Sequence, residues 1–226
     1  MNILIVITKG DSGGAQMSVL NLARELRGRQ HQVVVGLGTG DFLPDELDKE
    51  KIAYHRFKYL KRTKNPFANL LFAFEMKKFL KNKDLDIVHF NSSNALFGAL
   101  GVKMFDKRLK TVFTFRGMSM LDEHHEMHPI FKKLYFLFFK FFLKFIDKPV
   151  FVSRENMTKA REAGLVEKGE MVYNGLNPHK IHFYEKEQAI KLLEQFGVFL
   201  DEKDYIIGSI GRLVYVKNYE FLINVY

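Results

Sequence analysis

The chain has 226 residues, 47% apolar and 27% charged, with no cysteine and a formal net charge of +9. That length and balance suit one or two globular domains with a sizeable core, and the missing cysteines exclude disulfides and thiolate metal sites, in keeping with a reducing interior. The positive charge is concentrated: between His55 and Lys83 stand nine Lys and Arg against one acid, Glu75, a net +8. Such a patch suits nucleic acid, anionic lipid or a polyanionic substrate. No RNP motif, zinc finger or helix-turn-helix accompanies it, so nucleic acid is set aside.

Residues 2–8, NILIVIT, are a continuous apolar run rich in β-branched side chains. They are too short for a helix, lack the flanks of a signal peptide, and suit a buried parallel strand. The turn KGDSGGAQ (9–16) follows and opens into an amphipathic helix over 17–29, where Val19, Leu20, Leu22, Ala23 and Leu26 recur at helical spacing. Strand, turn and helix aim backbone N–H groups and a positive dipole end at one point above the sheet, a place for phosphate. Gly13 and Gly14 are expected to take positive φ and admit a ligand close to the backbone. The spacing G-x-x-G-G differs from the G-x-G-x-x-G of a dinucleotide fold, which disfavours a nicotinamide-dependent oxidoreductase. A tight turn with no ligand stays open at this point.

Further strands are expected over 31–37, 52–57, 86–90, 110–115, 149–152 and 170–173. Helices are expected over 44–49, from Asn65-Pro66 to about 80, over 95–105, and from Ser153 to about 163. This alternation specifies an α/β fold with a doubly wound parallel sheet. Ligands then sit at the carboxyl ends of the strands, here residues 8–14, 89–93, Arg116-Gly117, Ser153 and Asn174-Gly175. After Asn177-Pro178 the composition changes. A charged stretch leads to a helix over 185–196, a new apolar strand over 205–210, Gly211-Arg212-Leu213 and another helix beginning at Lys217-Asn218. The expected division is a domain over 1–176, a linker and helix over 177–204, and the start of a second domain over 205–226. A lone strand and helix cannot bury their faces, so the chain reads as cut short.

Four segments, in order, resemble the retaining glycosyltransferases of family 4, enzymes of the GT-B arrangement with two facing Rossmann-like domains. Residues 13–16 (GGAQ) look like the family's glycine loop, and 111–117 (TVFTFRG) stand where it has a strand ending in His-Gly. FVS (151–153) with VYNGLN (172–177) is similar to its domain-closing segment, and IGSIGRLVYVKN (207–218) to the opening of its nucleotide-sugar domain. The resemblance implies an N-terminal Rossmann-like acceptor domain and a donor diphosphate held by Gly13 and Gly14 on one side and Arg212 and Lys217 on the other. Arg offers a planar fork to phosphate oxygens and Lys a point charge, and both stabilise a leaving diphosphate without a metal. No metal or cofactor is therefore expected beyond a UDP- or GDP-linked donor sugar. Gln16, Asn91, Arg116, Ser153 and Asn174 are the expected acceptor-side residues. Arg116 stands in place of the family's His; a guanidinium is a permanent cation and no base, suited to an anionic acceptor or the donor phosphate. It is the only candidate catalytic residue, and the family's later Glu-containing motif has no counterpart before Tyr226.

Residues 129–146 are rich in Phe, with Lys133, Lys140 and Lys144 on one narrow helical stripe. Lysines interrupt the apolar run too often for a membrane span. The segment reads either as a core helix or as a basic aromatic helix at a bilayer surface, contacting it through Lys133, Phe138, Lys140, Phe141 and Lys144. EHHEMH (123–128) places His124 and His128 at i, i+4 but lacks a third ligand, so a polar loop is expected there rather than metal. The leading expectation is a retaining hexosyltransferase moving sugar to a glycan or lipid-linked acceptor. Its setting is the cytoplasmic face of the cell membrane, in bacterial lipopolysaccharide or capsule assembly. The rival is a truncated, non-catalytic fragment that binds a membrane or a partner.

Overall fold

Strand β1 (Asn2–Lys9) buries six consecutive residues, which only a strand covered on both faces can do. The computed structural model describes residues 1–117, 128–175, 181–201, 206–211, 213 and 215–225. The chain divides into two compact units, Met1–Gly175 and Leu176–Tyr226. The first holds a parallel seven-stranded sheet in the order β3-β2-β1-β4-β5-β6-β7. Its other strands are β2 (Gln32–Thr39), β3 (Ala53–Arg56), β4 (Ile87–Phe90), β5 (Lys110–Phe115), β6 (Lys148–Phe151) and β7 (Glu170–Met171). Helices α1 (Gly14–Gly28) and α2 (Phe42–Lys49) connect the first three strands. Helices α3 (Pro66–Leu80), α4 (Gly98–Phe105), α5 (Pro129–Leu143) and α6 (Arg154–Glu162) connect the rest. This is a Rossmann-like α/β fold, the class that the alternation of strands and helices predicts.

Side chains alternate across a strand, and the sheet sorts them into two cores. Ile3, Ile5, Ile7, Val33, Val35 and Leu37 pack with α1 and α2 on one face. Leu4, Val6, Val88, Phe90, Phe113 and Phe115 pack on the other with Phe72 and Met76 of α3, Val102 of α4 and Phe139 and Phe142 of α5. Asn65 caps α3, its Oδ1 accepting the Phe67 N–H at 2.9 Å, with Pro66 in the first helical position. Asp147 ties the sheet to α4: its Oδ2 accepts from Lys103 Nζ at 2.7 Å and from the Thr111 N–H at 2.8 Å. Burial works against that charge, yet these hydrogen bonds together hold the carboxyl below its ordinary range.

Several expectations are corrected. Helix α1 begins at Gly14, three residues earlier than its apolar stripe indicates, because Gly13 already accepts from the Met17 N–H at 3.0 Å. Gly13 is extended (φ 171) and Gly14 helical, so neither takes up the left-handed φ open to glycine. β2 runs through Gly38 to Thr39, two residues past the strand end expected at 37. A Cβ at Gly38 would overlap the Leu60 carbonyl, so glycine here serves close packing rather than a turn. The expected helix over 95–105 is a 3-10 turn, Ala95–Phe97, leading into α4. β7 stops at Met171, and Val172 and Tyr173 lie exposed.

The Phe-rich helix is a core helix along one side and an exposed apolar surface along the other. Phe139 and Phe142 are buried. Phe138, expected at a membrane, instead packs on Phe97 and Phe142, with ring centroids 5.0 and 4.8 Å away. Ile130, Leu134, Leu137 and Phe141, spaced along one stripe, are exposed, as are Lys133, Lys140 and Lys144. No helix among the described residues is long and apolar enough to cross a membrane.

The second unit contributes α7 (Lys186–Glu194), a 3-10 turn at Tyr215–Lys217 and α8 (Tyr219–Val225). The strand expected over 205–210 does not form in its described part, residues 206–210, and Ile206, Ile207 and Ile210 are exposed. A strand persists only where neighbours satisfy its N–H and C=O groups and cover its apolar side chains.

Gly101 gives a direct test of this packing. A Cβ there would overlap the Ala73 carbonyl of α3, so Gly101→Ala must push α3 and α4 apart. We expect a loss of about 1–3 kcal/mol in urea denaturation, and unchanged stability would show that the two helices are not in close contact.

Candidate functional site

The sheet order reverses between β1 and β4, which run side by side while their connections leave in opposite directions. Such a switch point opens a crevice beyond the carboxyl ends of the strands. Two hydrogen bonds clamp its floor: the Thr8 N–H donates to Ser92 Oγ at 2.9 Å, and the two hydroxyls meet at 2.6 Å. A cavity of about 560 Å³ lies above. Lys9, Ala15 and Gln16 line it from the β1–α1 turn, Asn91 and Ser92 from the end of β4, and Arg116 and Gly117 from the end of β5. Phe113, Phe139 and Tyr135 supply an apolar wall, and Arg62 and Lys64 come from the loop before α3.

Arg116 is the central charge. Its Nη2 donates to Asn91 Oδ1 at 2.8 Å and its Nη1 to Asn174 Oδ1 at 3.1 Å. Asn91 is buried, and its backbone N–H is held by the Val6 carbonyl at 2.8 Å. Asn174 is also met by Ser18 Oγ of α1, at 3.4 Å. Arg116 Nε is buried without a partner. Burial pulls the guanidinium down to about 10, still a full cation at neutral pH. Beneath it, His89 bonds Thr114 Oγ1 through Nε2 at 2.7 Å. Burial, with the Arg116 charge second, pushes its imidazole down to about 4, so His89 is neutral near pH 7.

Gln16, Asn91 and Arg116 line the cavity together, and Asn174 joins them through its bond to Arg116. Gln16 is fixed by donating to the Lys9 carbonyl at 2.8 Å. Ser153 stands instead at the start of α6 and does not line the cavity. Gly13 and Gly14 begin α1, and a Cβ on Gly14 would meet nothing within 4 Å, leaving that helix end open to a ligand. In the second unit Lys217 is exposed, its side chain beside Gly211. Arg212 and most of the His-containing stretch, residues 123–127, lie outside the described residues. Among the described residues no three His, Asp or Glu converge as a metal site.

Sequence reasoning missed Arg62 and Lys64 as site residues, and had Thr8 and Ser92 only within the strand ends 8–14 and 89–93. Arg62 and Lys64 were counted only in the basic patch, although they follow β3 and so leave from the same edge of the sheet. Their placement is fixed by Asn94, whose Nδ2 donates to the Thr63 carbonyl at 2.6 Å.

The profile of Glycosyltransferase Family 4 matches residues 12–180. The chain belongs to that family. The fold is shared with HepE of Anabaena, solved with UDP and glucose, at a TM-score of 0.76 and 21% identity over 99% of this chain and 57% of that one. A glycosyltransferase from Rickettsia africae superposes with a TM-score of 0.63 at 26% identity, over 87% of this chain and 49% of that one. The lipopolysaccharide outer core galactosyltransferase WaaB in its apo form gives 0.58 at 14% identity, over 78% and 46% of the two chains. The chain therefore spans about half the length of these structures. No curated protein matches it in sequence.

The buried imidazole makes stability depend on pH. Its folded pKa, about 4, lies below the ordinary 6.5, so between those values the unfolded chain takes up a proton that the folded chain refuses. The contribution is complete above pH 6.5 and falls away as pH drops towards 4, by about 2–3 kcal/mol. Urea denaturation at pH 7 and pH 4.5 should show a loss for the native chain that is smaller by about that amount in His89→Gln. Equal losses would mean that His89 titrates normally.

Proposed function

We propose that the chain works in a glycosyltransferase that moves a sugar, with retention, from a UDP- or GDP-linked donor to a glycan or lipid-linked acceptor at the inner face of a membrane. The observation that carries this reading is the cavity at the β1–β4 switch point, flanked by an open helix start at Gly14, in a chain of Glycosyltransferase Family 4. The free N–H groups and dipole of the α1 start favour a phosphate. Arg212 and Lys217 are assigned to the donor phosphates on the resemblance of their segment. The negative charge that develops on a leaving diphosphate is then met by fixed donors and cations, the largest stabilisation such a site offers. Arg116 has no role as a base, because its guanidinium does not give up its proton near neutral pH. HepE, solved with UDP and glucose, supports a nucleotide-linked donor.

The membrane part of the proposal rests on the outer surface of one helical layer. On α5 the stripe of Ile130, Leu134, Leu137 and Phe141 is exposed, and on α3 so are Phe67, Leu71 and Phe74. Both helices pack their other sides on the same face of the sheet. Lys133, Lys140 and Lys144 border the α5 stripe and are free to meet anionic headgroups. An envelope acceptor, in lipopolysaccharide or capsule assembly, fits such a surface.

Two measurements test these statements. Calorimetric titration should show binding of UDP or GDP that weakens about tenfold in Lys217→Ala, the value of one charge-assisted phosphate contact. Binding of NAD with no response to that substitution would point to a different chemistry. Flotation with vesicles rich in anionic phospholipid should carry the chain upward. Leu137→Glu with Phe141→Glu should abolish that flotation while leaving the melting temperature within a few degrees. Failure of the native chain to float removes the membrane assignment.

A further inference from the structure

Arg116 is unlike the other enclosed cations of its unit. Arg24 meets Glu50 at 2.7 Å and Lys103 meets Asp147 at 2.7 Å. Among the described residues Arg116 is met only by two neutral amide oxygens, and no carboxylate pairs with it. A largely buried charge without a counter-ion is costly to hold, and a fold retains one where a ligand supplies the missing charge. Its Nε is buried and has no hydrogen-bond partner among the described residues.

The surroundings point the same way. Among the described residues four cations, Lys9, Arg62, Lys64 and Arg116, line the cavity, and no acid does so. Lys9 is paired at the rim with Asp11, at 2.9 Å. Arg62 and Lys64 have no carboxylate partner among the described residues, and the Asn94 bond to Thr63 fastens their loop in place. Like charges gathered around one space repel one another unless an anion occupies it. The fork itself is pre-oriented, since Asn91 is anchored to β1 and Asn174 is met by α1. Held this way, a guanidinium loses little freedom on meeting a second fork.

We infer that this cavity binds an oxyanion carried by the acceptor, a sugar carboxylate or a phosphate, on Arg116, with Arg62 and Lys64 completing the counter-charge. The inference rests on the proposed sugar-transfer reading and adds to it the chemical class of the acceptor. The donor diphosphate is assigned, on the resemblance, to Gly13, Gly14, Arg212 and Lys217, and neither Gly13 nor Gly14 lines the cavity. The apolar wall of Phe113, Phe139 and Tyr135 suits the uncharged body of such an acceptor.

Calorimetric titration of the chain with methyl glucuronide, methyl glucoside, inorganic pyrophosphate and UDP tests this. One of the two anions, glucuronide for a carboxylate acceptor or pyrophosphate for a phosphate acceptor, should bind at least tenfold more tightly than methyl glucoside. That preference should fall about tenfold in Arg116→Gln and in the double variant Arg62→Gln with Lys64→Gln, while UDP affinity stays within twofold. The double variant alters exposed side chains only, so it reports even where Arg116→Gln unfolds. The inference is overturned if neither anion is preferred, if the preference survives these substitutions, or if UDP affinity falls in step with it. Absence of UDP binding by the native chain, with the anion preference intact, would overturn the transfer reading and leave the anion site standing.

Discussion

Everything that gathers at the site depends on β1 and β4 lying side by side with their ends tied by Thr8 and Ser92. The two strands come from opposite halves of the sheet order, and their connections part above that tie, leaving a gap no backbone fills. A hydroxyl pair suits the position. It satisfies an N–H that would have continued the ladder, and it is small enough to leave the space above it empty. From that joint the β1–α1 turn, the residues after β4 and the end of β5 converge without any long excursion of the chain.

The chemistry at this joint is governed by uneven solvation. Arg116 is enclosed enough to lower its pKa yet still charged, and its field helps keep His89 neutral. Polar side chains here serve as dipoles rather than as acids or bases. Asn91, Asn174, Thr114 and Ser92 orient without carrying charge, so the cationic character of the cavity is not cancelled from within.

The sheet was readable in the residues because its strands are buried on both faces, and β-branched runs such as residues 3–7 have few other uses. Lys110–Phe115 was read to the residue for the same reason. Where the fold departs from the reading, the cause is tertiary. Helix α1 starts at Gly14 because its first turn needs no apolar residue, and β2 continues through Gly38 because the Leu60 carbonyl leaves room for no side chain. Periodicity could not tell which of the Phe residues in α5 face the sheet, since nearly all of them are apolar. Packing on Phe97 decides for Phe138 and Phe142. At the site, Arg116 and Asn91 stood out as polar residues ending apolar strands. Arg62 and Lys64 did not, because their link to the cavity runs through Asn94, some 30 positions away, and no local pattern records it.

Helix α3 joins two surfaces that have so far been treated apart. It is 15 residues long, about 22 Å at 1.5 Å per residue, and at Gly101 α4 approaches Ala73 closely enough to leave no room for a side chain. Its outer side presents Phe67, Leu71 and Phe74, and its capped start carries the loop of Arg62 and Lys64. One helix therefore carries both the exposed apolar row and, just before its cap, the two cations at the cavity's edge.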